Sequence, residues 1–325
     1  MNLLITNTCT RNCAFCFARS KIGQATQASH AQHMSLTQLE GIMDFLERSG
    51  DKKLRLLGGE PTLHPQLERI VKRALARGFH VHLFSNCMMP ETVADFLASL
   101  PQEQVSLLAN LSVNQHDTPQ QKKRVAYALA ALGPRVQPGI TVTSPEFDYT
   151  YLIELIDRYH LRRRIRIGIA QPIVGHDNAY LLPSQYRATG RALAAMALAC
   201  EAEDILIGFD CGLTLCMFSE EEFALLAQCS EGFKTVCQPV VDVGPDLQIW
   251  HCFPLSTVLN LSLTDYRDRN EIVRNFQRKT APYKSFGCMP ACMHCKYLRR
   301  GQCTGGCLAH AMQSFMQPQN KKIGG

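Results

Sequence analysis

The chain has 325 residues, of which 46% are hydrophobic, so it can form one barrel with an extension or two domains. Its formal net charge of +6 is spread without long runs, which is compatible with acidic substrates and does not indicate nucleic-acid binding. Because no apolar run approaches membrane-spanning length and no signal peptide opens the chain, we expect a cytoplasmic protein without a membrane partner.

Cysteine is the unusual residue type in this composition, with 15 copies. In a cytosolic chain this number indicates metal binding rather than disulfides. Three cysteines lie near the N-terminus and ten lie between residues 211 and 307, while Cys87 and Cys200 stand alone and are expected to be small buried hydrophobes. The uneven distribution predicts two parts, residues 1–203 and 204–325.

The first predicted element is a short buried strand over residues 1–7, and a loop with Cys9, Cys13 and Cys16 follows it. The spacing C-x3-C-x2-C lets one short loop supply three thiolates. A [4Fe–4S] cluster normally takes four, so one iron would stay free for a small chelating ligand. A zinc knuckle is the alternative for the same residues.

Strand and helix patterns alternate from residue 35 onward. Ser35 and Gln38 form a predicted capping box at the start of a helix. A Gly58-Gly59-Glu60-Pro61 turn follows a predicted strand at 53–57. The later strands are predicted at 80–84, 104–112, 137–143 and 164–170, and the later helices at 66–77, 91–100, 120–132, 151–159 and 184–202. Strand–helix alternation repeated six times predicts a parallel α/β fold.

Polar side chains follow two of these strands. Ser85 and Asn86 come after the third strand. Ser112 ends the fourth predicted strand, and Asn114 follows it. In barrels of parallel strands, ligands bind at the carboxyl ends of the strands, so we expect these side chains on one rim with Glu60 and the cysteine loop. Ordinary turn chemistry is the alternative for the four strand-end residues, because Ser and Asn favour turns.

The cysteine loop and the Gly-Gly-Glu-Pro turn, in this order after successive strands, resemble the radical S-adenosylmethionine (SAM) enzymes. The resemblance covers residues 1 to about 175 and implies an α/β fold with an open (βα)6 partial TIM barrel. It implies a [4Fe–4S] cluster on the three cysteines with SAM beside it. The family's SAM-binding positions correspond here to Phe15 (adenine), Gly58, Gly59, Glu60 and Pro61 (amino group), Ser85, Asn86, Ser112 (ribose) and Asn114, where many relatives have an acidic residue.

The second half resembles the SPASM extension of radical SAM enzymes. Its run Cys292-x2-Cys295-x7-Cys303-x3-Cys307 has a middle gap two residues longer than usual. Upstream, Cys237 and Cys252 resemble the pair that opens this extension, although Leu247 stands where glycine is usual. The resemblance therefore implies a small cysteine-rich Fe–S domain; zinc ribbons are the alternative.

Two auxiliary [4Fe–4S] clusters are implied, with ligands that cross over in sequence. On the pattern of relatives, one cluster takes Cys237, Cys252, Cys307 and Cys229. The other takes Cys292, Cys295 and Cys303, with Cys288 or, less readily, His310 as its fourth ligand. Cys211 and Cys216 remain; either replaces Cys229, or they are structural.

The function implied is cleavage of SAM to a 5′-deoxyadenosyl radical and oxidation, by cross-linking or dehydrogenation, of a ribosomally synthesised peptide or protein side chain. Expected partners are that substrate and an electron donor of the flavodoxin or ferredoxin type. Since the first strand begins at Met1, we expect no leader-binding domain, so another surface or a separate protein would recognise any leader. The alternatives are a radical SAM dehydrogenase of a sugar or alcohol, and a non-enzymatic Fe–S or zinc scaffold.

Overall fold

The computed structural model of the protein describes residues 1–22, 32–113 and 115–316. Within these residues the strands are β1 (Asn2–Leu4), β2 (Lys53–Leu57), β3 (His80–Ser85), β4 (Val105–Asn110), β5 (Val136–Val142), β6 (Arg164–Ile169), β7 (Leu206–Phe209), β8 (Asp242–Val243), β9 (Gln248–Trp250) and β10 (Asn260–Ser262). They form one sheet in the order β10-β9-β8-β1-β2-β3-β4-β5-β6-β7. Neighbours from β1 to β7 are all parallel, so their carboxyl ends share one edge.

Helices connect the parallel strands in alternation. They are α1 (Leu36–Arg48), α2 (Leu67–Ala76), α3 (Glu91–Ala98), α4 (Pro119–Leu132), α5 (Thr150–Tyr159) and α6 (Tyr186–Ala202). The predicted α/β class with six strand–helix units is therefore confirmed, and the sheet is an open partial barrel. None of the helices in the described residues combines the length and the apolar character needed to cross a bilayer.

Side chains along a strand alternate between the two faces of the sheet, so the apolar ones on one face can pack against the helices. In β2, Leu54 and Leu56 are fully buried against the helices, whereas Arg55 between them is half-buried on the opposite face. The start of α1 is fixed as predicted: Ser35 and Gln38 exchange side-chain-to-backbone hydrogen bonds in a capping box. The packing of the helices and the capping box hold the carboxyl ends of the strands, and the loops that follow them, at one rim of the sheet.

The sheet continues beyond the expected boundary at residue 203. β7 pairs in parallel with β6, and β8 pairs in parallel with β1 at the other side of the barrel. The second half thus adds strands to both edges of the (βα)6 unit before it reaches the cysteine-rich segment. Its helices are α7 (Glu220–Cys229), α8 (Arg269–Thr280), α9 (Lys296–Arg299) and α10 (Leu308–Met316).

Candidate active site

The three cysteines of the N-terminal loop, which we call the triad loop (residues 9–16), lie together beyond the end of β1. The amide of Cys16 donates to the carbonyl of Cys13 at 3.1 Å, so the loop turns tightly there. Burial above all, with smaller contributions from the nearby thiols of Cys13 and Cys9, raises the pKa of Cys16 to about 11. Phe15 is half-buried beside them.

Two glycines let the turn after β2 press against the triad loop. A Cβ atom on Gly59 would stand 2.2 Å from the carbonyl oxygen of Thr8, and one on Gly58 would stand 2.7 Å from that of Thr6. The amide of Gly59 donates to the carbonyl of Thr6 at 2.8 Å. Pro61 is buried at the end of this turn. Only glycine permits so close a backbone approach.

Glu60 is the centre of the polar network at this rim. The residue is 1% exposed, and its carboxylate accepts from the hydroxyls of Thr62 (2.7 Å) and Ser85 (2.8 Å) and from the amide of Asn86 (2.8 Å). Burial raises its pKa. The side-chain amide of Asn86 lies 4.0 Å from the sulfur of Cys9. The structure therefore brings together the triad loop, Glu60, Ser85 and Asn86.

Ser112 plays a structural part in the same rim. Its hydroxyl donates to the side-chain oxygen of Asn110 (2.8 Å) and accepts from the amide of Thr141 (2.9 Å), so it links the end of β4 to β5. Because both hydrogen bonds use this hydroxyl, a contact with the ribose of SAM would have to share it with Asn110 and Thr141. The predicted contact Asn114 lies outside the described residues.

Arg11 and Asp117 form a buried ion pair at the triad loop that no local sequence pattern signals. Nε of Arg11 donates to Oδ1 of Asp117 at 3.1 Å, and a second guanidinium nitrogen contacts the other carboxylate oxygen. The side-chain amide of Gln121 also donates to the carbonyl of Thr10 at 3.2 Å. The triad loop is thus fastened to the start of α4. The two residues lie 106 positions apart, so no local pattern could have paired them.

A first group of cysteines in the second half contains Cys211, Cys237, Cys252 and Cys307, and we call it the first thiol group. Desolvation, with added charge repulsion from the other three thiols, raises the pKa of Cys252 well above its ordinary value. Cys307 packs with Cys237 and Cys252 in a small apolar cluster. The expected trio is therefore together. The segment of Cys211 lies beside it, because a Cβ atom on Gly306 would stand 3.7 Å from the carbonyl oxygen of Gly212.

Leu247 adopts a left-handed backbone conformation, with φ of 61°. It stands where the related extension usually has glycine, the residue that adopts this conformation without steric cost. Its amide donates to the carbonyl of Gly244 at 3.0 Å, in the turn between β8 and β9. Leucine in place of glycine therefore still forms the turn before Cys252, but its left-handed backbone is strained.

The second thiol group, as we call it, consists of Cys216, Cys292, Cys295 and Cys303, which line one pocket. The other lining residues are Thr214, Leu215, Tyr297, Leu298 and Gly305. Glycine is again needed at a close approach, because a Cβ atom on Gly287 would stand 2.6 Å from the sulfur of Cys292. This group holds the three expected cysteines of the C-terminal run and one from the segment after β7.

Two of the predicted auxiliary ligands lie elsewhere. Cys229 ends α7, where its thiol donates to the carbonyl of Leu225 and its thiol neighbour is Cys200. It does not join the first thiol group, because the helix holds it beside β7. Cys288 does not line the pocket of the second thiol group. Cys87 and Cys200 are fully buried, as expected for small apolar side chains.

Each thiol group offers four cysteines, the number of thiolates that a [4Fe–4S] cluster takes, one for each iron. In residues 1–22, 32–113 and 115–316, no three His, Cys, Asp or Glu side chains form a preformed site for a single metal ion. The donor set of both groups fits a [4Fe–4S] cluster.

A model of the Radical SAM superfamily matches residues 3–115, which contain the triad loop and the Gly-Gly-Glu-Pro turn. An S-adenosylmethionine-dependent nucleotide dehydratase of Selenomonas ruminantium is 32% identical over 105 residues, which cover 30% of this chain and 35% of that protein. The chain therefore spans about a third of this relative. Residues 3–115 therefore resemble a radical SAM domain, a family that uses a [4Fe–4S] cluster and SAM.

Two solved structures extend the similarity over nearly the whole chain. Streptococcus suis SuiB bound to SAM aligns with a TM-score of 0.61 at 14% identity, over 94% of this chain and 72% of its own. The protein anSMEcpe, with bound AdoMet, aligns with a TM-score of 0.60 at 14% identity, over 94% of this chain and 88% of its own. The cysteine-rich half thus shares their fold as well. SuiB has also been solved with precursor peptide SuiA, and anSMEcpe with the Cp18Cys peptide.

Proposed function

We propose that the chain is a SPASM-type radical SAM enzyme that oxidatively cross-links or dehydrogenates a side chain of a ribosomally synthesised peptide or protein. The observation that carries this proposal is the presence of two thiol groups in the second half, in addition to the triad loop. The first gathers around Cys252 and the second lines one pocket with Cys292. Three sites for [4Fe–4S] clusters on one chain suit net oxidation. Residues 1–203 would form the SAM-binding part and residues 204–325 the auxiliary part.

At the rim, each residue would have a defined task toward SAM. Cys9, Cys13 and Cys16 would hold the cluster and leave one iron free for the amino and carboxyl groups of SAM. The buried carboxylate of Glu60 would accept a charge-assisted hydrogen bond from the N–H of the SAM amino group. Ser85 and Asn86 would fix the direction of that carboxylate, since they already donate to it.

When bound, the N-terminal cluster with SAM supplies hydrogen-atom abstraction, and the auxiliary clusters supply an acceptor for one electron. The substrate would lose two hydrogens, the first as an atom and the second as a proton and an electron. The chain's own part is to hold these groups in fixed places and to exclude water. An external donor of the flavodoxin or ferredoxin type would provide the initiating electron.

A peptide substrate is supported by the fold. Both solved relatives above were determined with peptides bound, and their similarity to this chain includes the cysteine-rich half. An open barrel leaves room for an extended chain, which a closed pocket would not. Leader recognition, if the substrate has a leader, would fall to a separate protein or to another surface of this chain.

Coexpression with the short open reading frames encoded beside the gene, followed by intact-mass analysis, tests this proposal. We expect one peptide to lose about 2 Da in its core, because the oxidation removes two hydrogens. The matched control is the variant with Cys9, Cys13 and Cys16 replaced by Ala, which should leave every peptide unchanged.

Two other substrate classes are tested by incubating the reconstituted protein with each compound and measuring its turnover. A nucleotide is suggested by the Selenomonas ruminantium relative, although that match covers 30% of this chain. A sugar or alcohol is the other. If no neighbouring peptide changes mass while a nucleotide, sugar or alcohol is turned over, the peptide proposal is wrong.

A further inference from the structure

We propose that Cys216 is the fourth ligand of the second auxiliary cluster, so that the segment after β7 supplies one thiol to each auxiliary centre. This inference rests on the proposed function, because it assumes that both auxiliary clusters form. The pattern of relatives takes the last ligand from beyond the C-terminal run, and Cys288 was the expected substitute here. The geometry points to a different cysteine.

The wall of the pocket that holds the second thiol group identifies Cys216. Its lining includes Cys216 together with the expected ligands Cys292, Cys295 and Cys303. Cys216 lies in a short turn, Leu215–Met217, and the sulfur lies 3.3 Å from the Thr214 hydroxyl. Four thiols on one wall are the number that a [4Fe–4S] cluster takes.

Cys288 does not belong to that wall. Its sulfur lies 3.3 Å from where a Cβ atom on Gly306 would stand, and it hydrogen-bonds with the Tyr186 hydroxyl. That hydroxyl lies 3.2 Å from Nε2 of His310, so Cys288, Tyr186 and His310 form a row beside the pocket. Charge interactions link Cys288 to Cys292 and Cys216 of the second thiol group and to Cys307 of the first. Cys288 therefore lies beside both thiol groups, but it is not part of the wall of the second group's pocket.

The segment that carries Cys216 is firmly attached to the barrel. Nε of Arg166 in β6 donates to Oδ1 of Asp210 at 2.7 Å. Gly212, with φ of 99°, packs so closely on Gln171 that a Cβ atom would stand 2.4 Å from the side-chain nitrogen. Cys211 and Cys216 flank this anchored turn. Gly212, next to Cys211, packs against Gly306, next to Cys307, and Cys216 lines the pocket of the second thiol group. One rigid segment can thus hold both auxiliary centres against the barrel.

The test uses the full chain with Cys9, Cys13 and Cys16 replaced by Ala, so that bound iron reports the auxiliary clusters. This parent should bind about eight irons after anaerobic reconstitution, four for each cluster. We then add Cys216→Ala or, as the matched control, Cys288→Ala. Iron and acid-labile sulfide are measured, and electron paramagnetic resonance spectra are recorded after reduction.

We expect Cys216→Ala to halve the bound iron or to alter the spectrum of one of the two clusters, and Cys288→Ala to change neither. Cys216→Ser, which preserves size, should share the defect, and circular dichroism of the apoproteins identifies a variant that does not fold. Unchanged iron and spectra in both Cys216 variants would overturn the inference. A parent with no auxiliary iron would instead contradict the proposed function itself, so the two failures are distinguishable.

Discussion

Arg11 of the triad loop and Asp117 of the segment before α4 form an ion pair whose side chains are 8% and 9% exposed. Removing one partner of a buried pair leaves an uncompensated charge, which costs about 3–5 kcal/mol. Asp117→Asn should therefore lower the free energy of unfolding of the reduced apoprotein by roughly this amount. It should also speed iron loss from the triad loop, because the loop loses its fastening. Urea unfolding and iron release measure the two effects.

The control for this variant is Asp157→Asn. Asp157 pairs with Arg163 on the surface, where the side chains are 54% and 45% exposed. An exposed pair contributes about 0–1 kcal/mol, so Asp157→Asn should change the free energy of unfolding by no more than this. Equal loss of stability in the two variants would contradict the stabilising role of the buried Arg11–Asp117 pair.

Glu60→Gln should weaken SAM binding without removing iron. The carboxylate is buried, and a hydrogen bond to a charged group contributes roughly 1.5–3 kcal/mol, or about tenfold to a hundredfold in the dissociation constant. Anaerobic titration with SAM measures the affinity, and Glu68→Gln on the exposed face of α2 is the matched control. An unchanged dissociation constant in Glu60→Gln would remove this residue from the SAM site.

Gly59→Ala tests the close approach between the Gly-Gly-Glu-Pro turn and the triad loop. Its Cβ atom would stand 2.2 Å from the carbonyl oxygen of Thr8, so the backbone must shift. Overpacking of this kind costs about 1–3 kcal/mol and should reduce iron binding at the triad. In Gly41→Ala, on α1, the new methyl group meets nothing within 4 Å, and stability should rise by up to about 1 kcal/mol. Normal iron binding in Gly59→Ala would contradict the argument.

The parts of the site that follow local patterns were predictable from the sequence. The capping box at Ser35 and the glycines after β2 are formed by residues close together in the chain, and their signals are short-range. The partner of Arg11 and the grouping of Cys211 and Cys216 depend on contacts between distant elements. Spacing alone does not reveal that α7 carries Cys229 away from the other thiols. Pairing of β8 with β1 was also beyond prediction, because a two-residue strand has no periodicity to detect.

Asp242 makes stability depend on pH. Burial raises the pKa of this carboxyl to about 7, while Nδ2 of Asn2 donates to it at 2.8 Å. Because the folded state holds the proton more tightly than the unfolded state, this stabilisation is complete below about pH 4 and is lost as pH rises through about 7. The stability of the wild-type apoprotein should fall relative to Asp242→Asn across this window, by at most about 1.4 kcal/mol per pH unit. A difference that stays constant with pH would contradict the assignment.

SAM cleavage by anaerobically reconstituted and reduced protein tests the central claim most directly. We predict that the wild-type chain forms 5′-deoxyadenosine. The variant with Cys9, Cys13 and Cys16 replaced by Ala should form none while it retains about eight auxiliary irons, four for each remaining cluster. Formation of 5′-deoxyadenosine by that variant, or its absence from wild-type protein with an intact N-terminal cluster, would contradict the account.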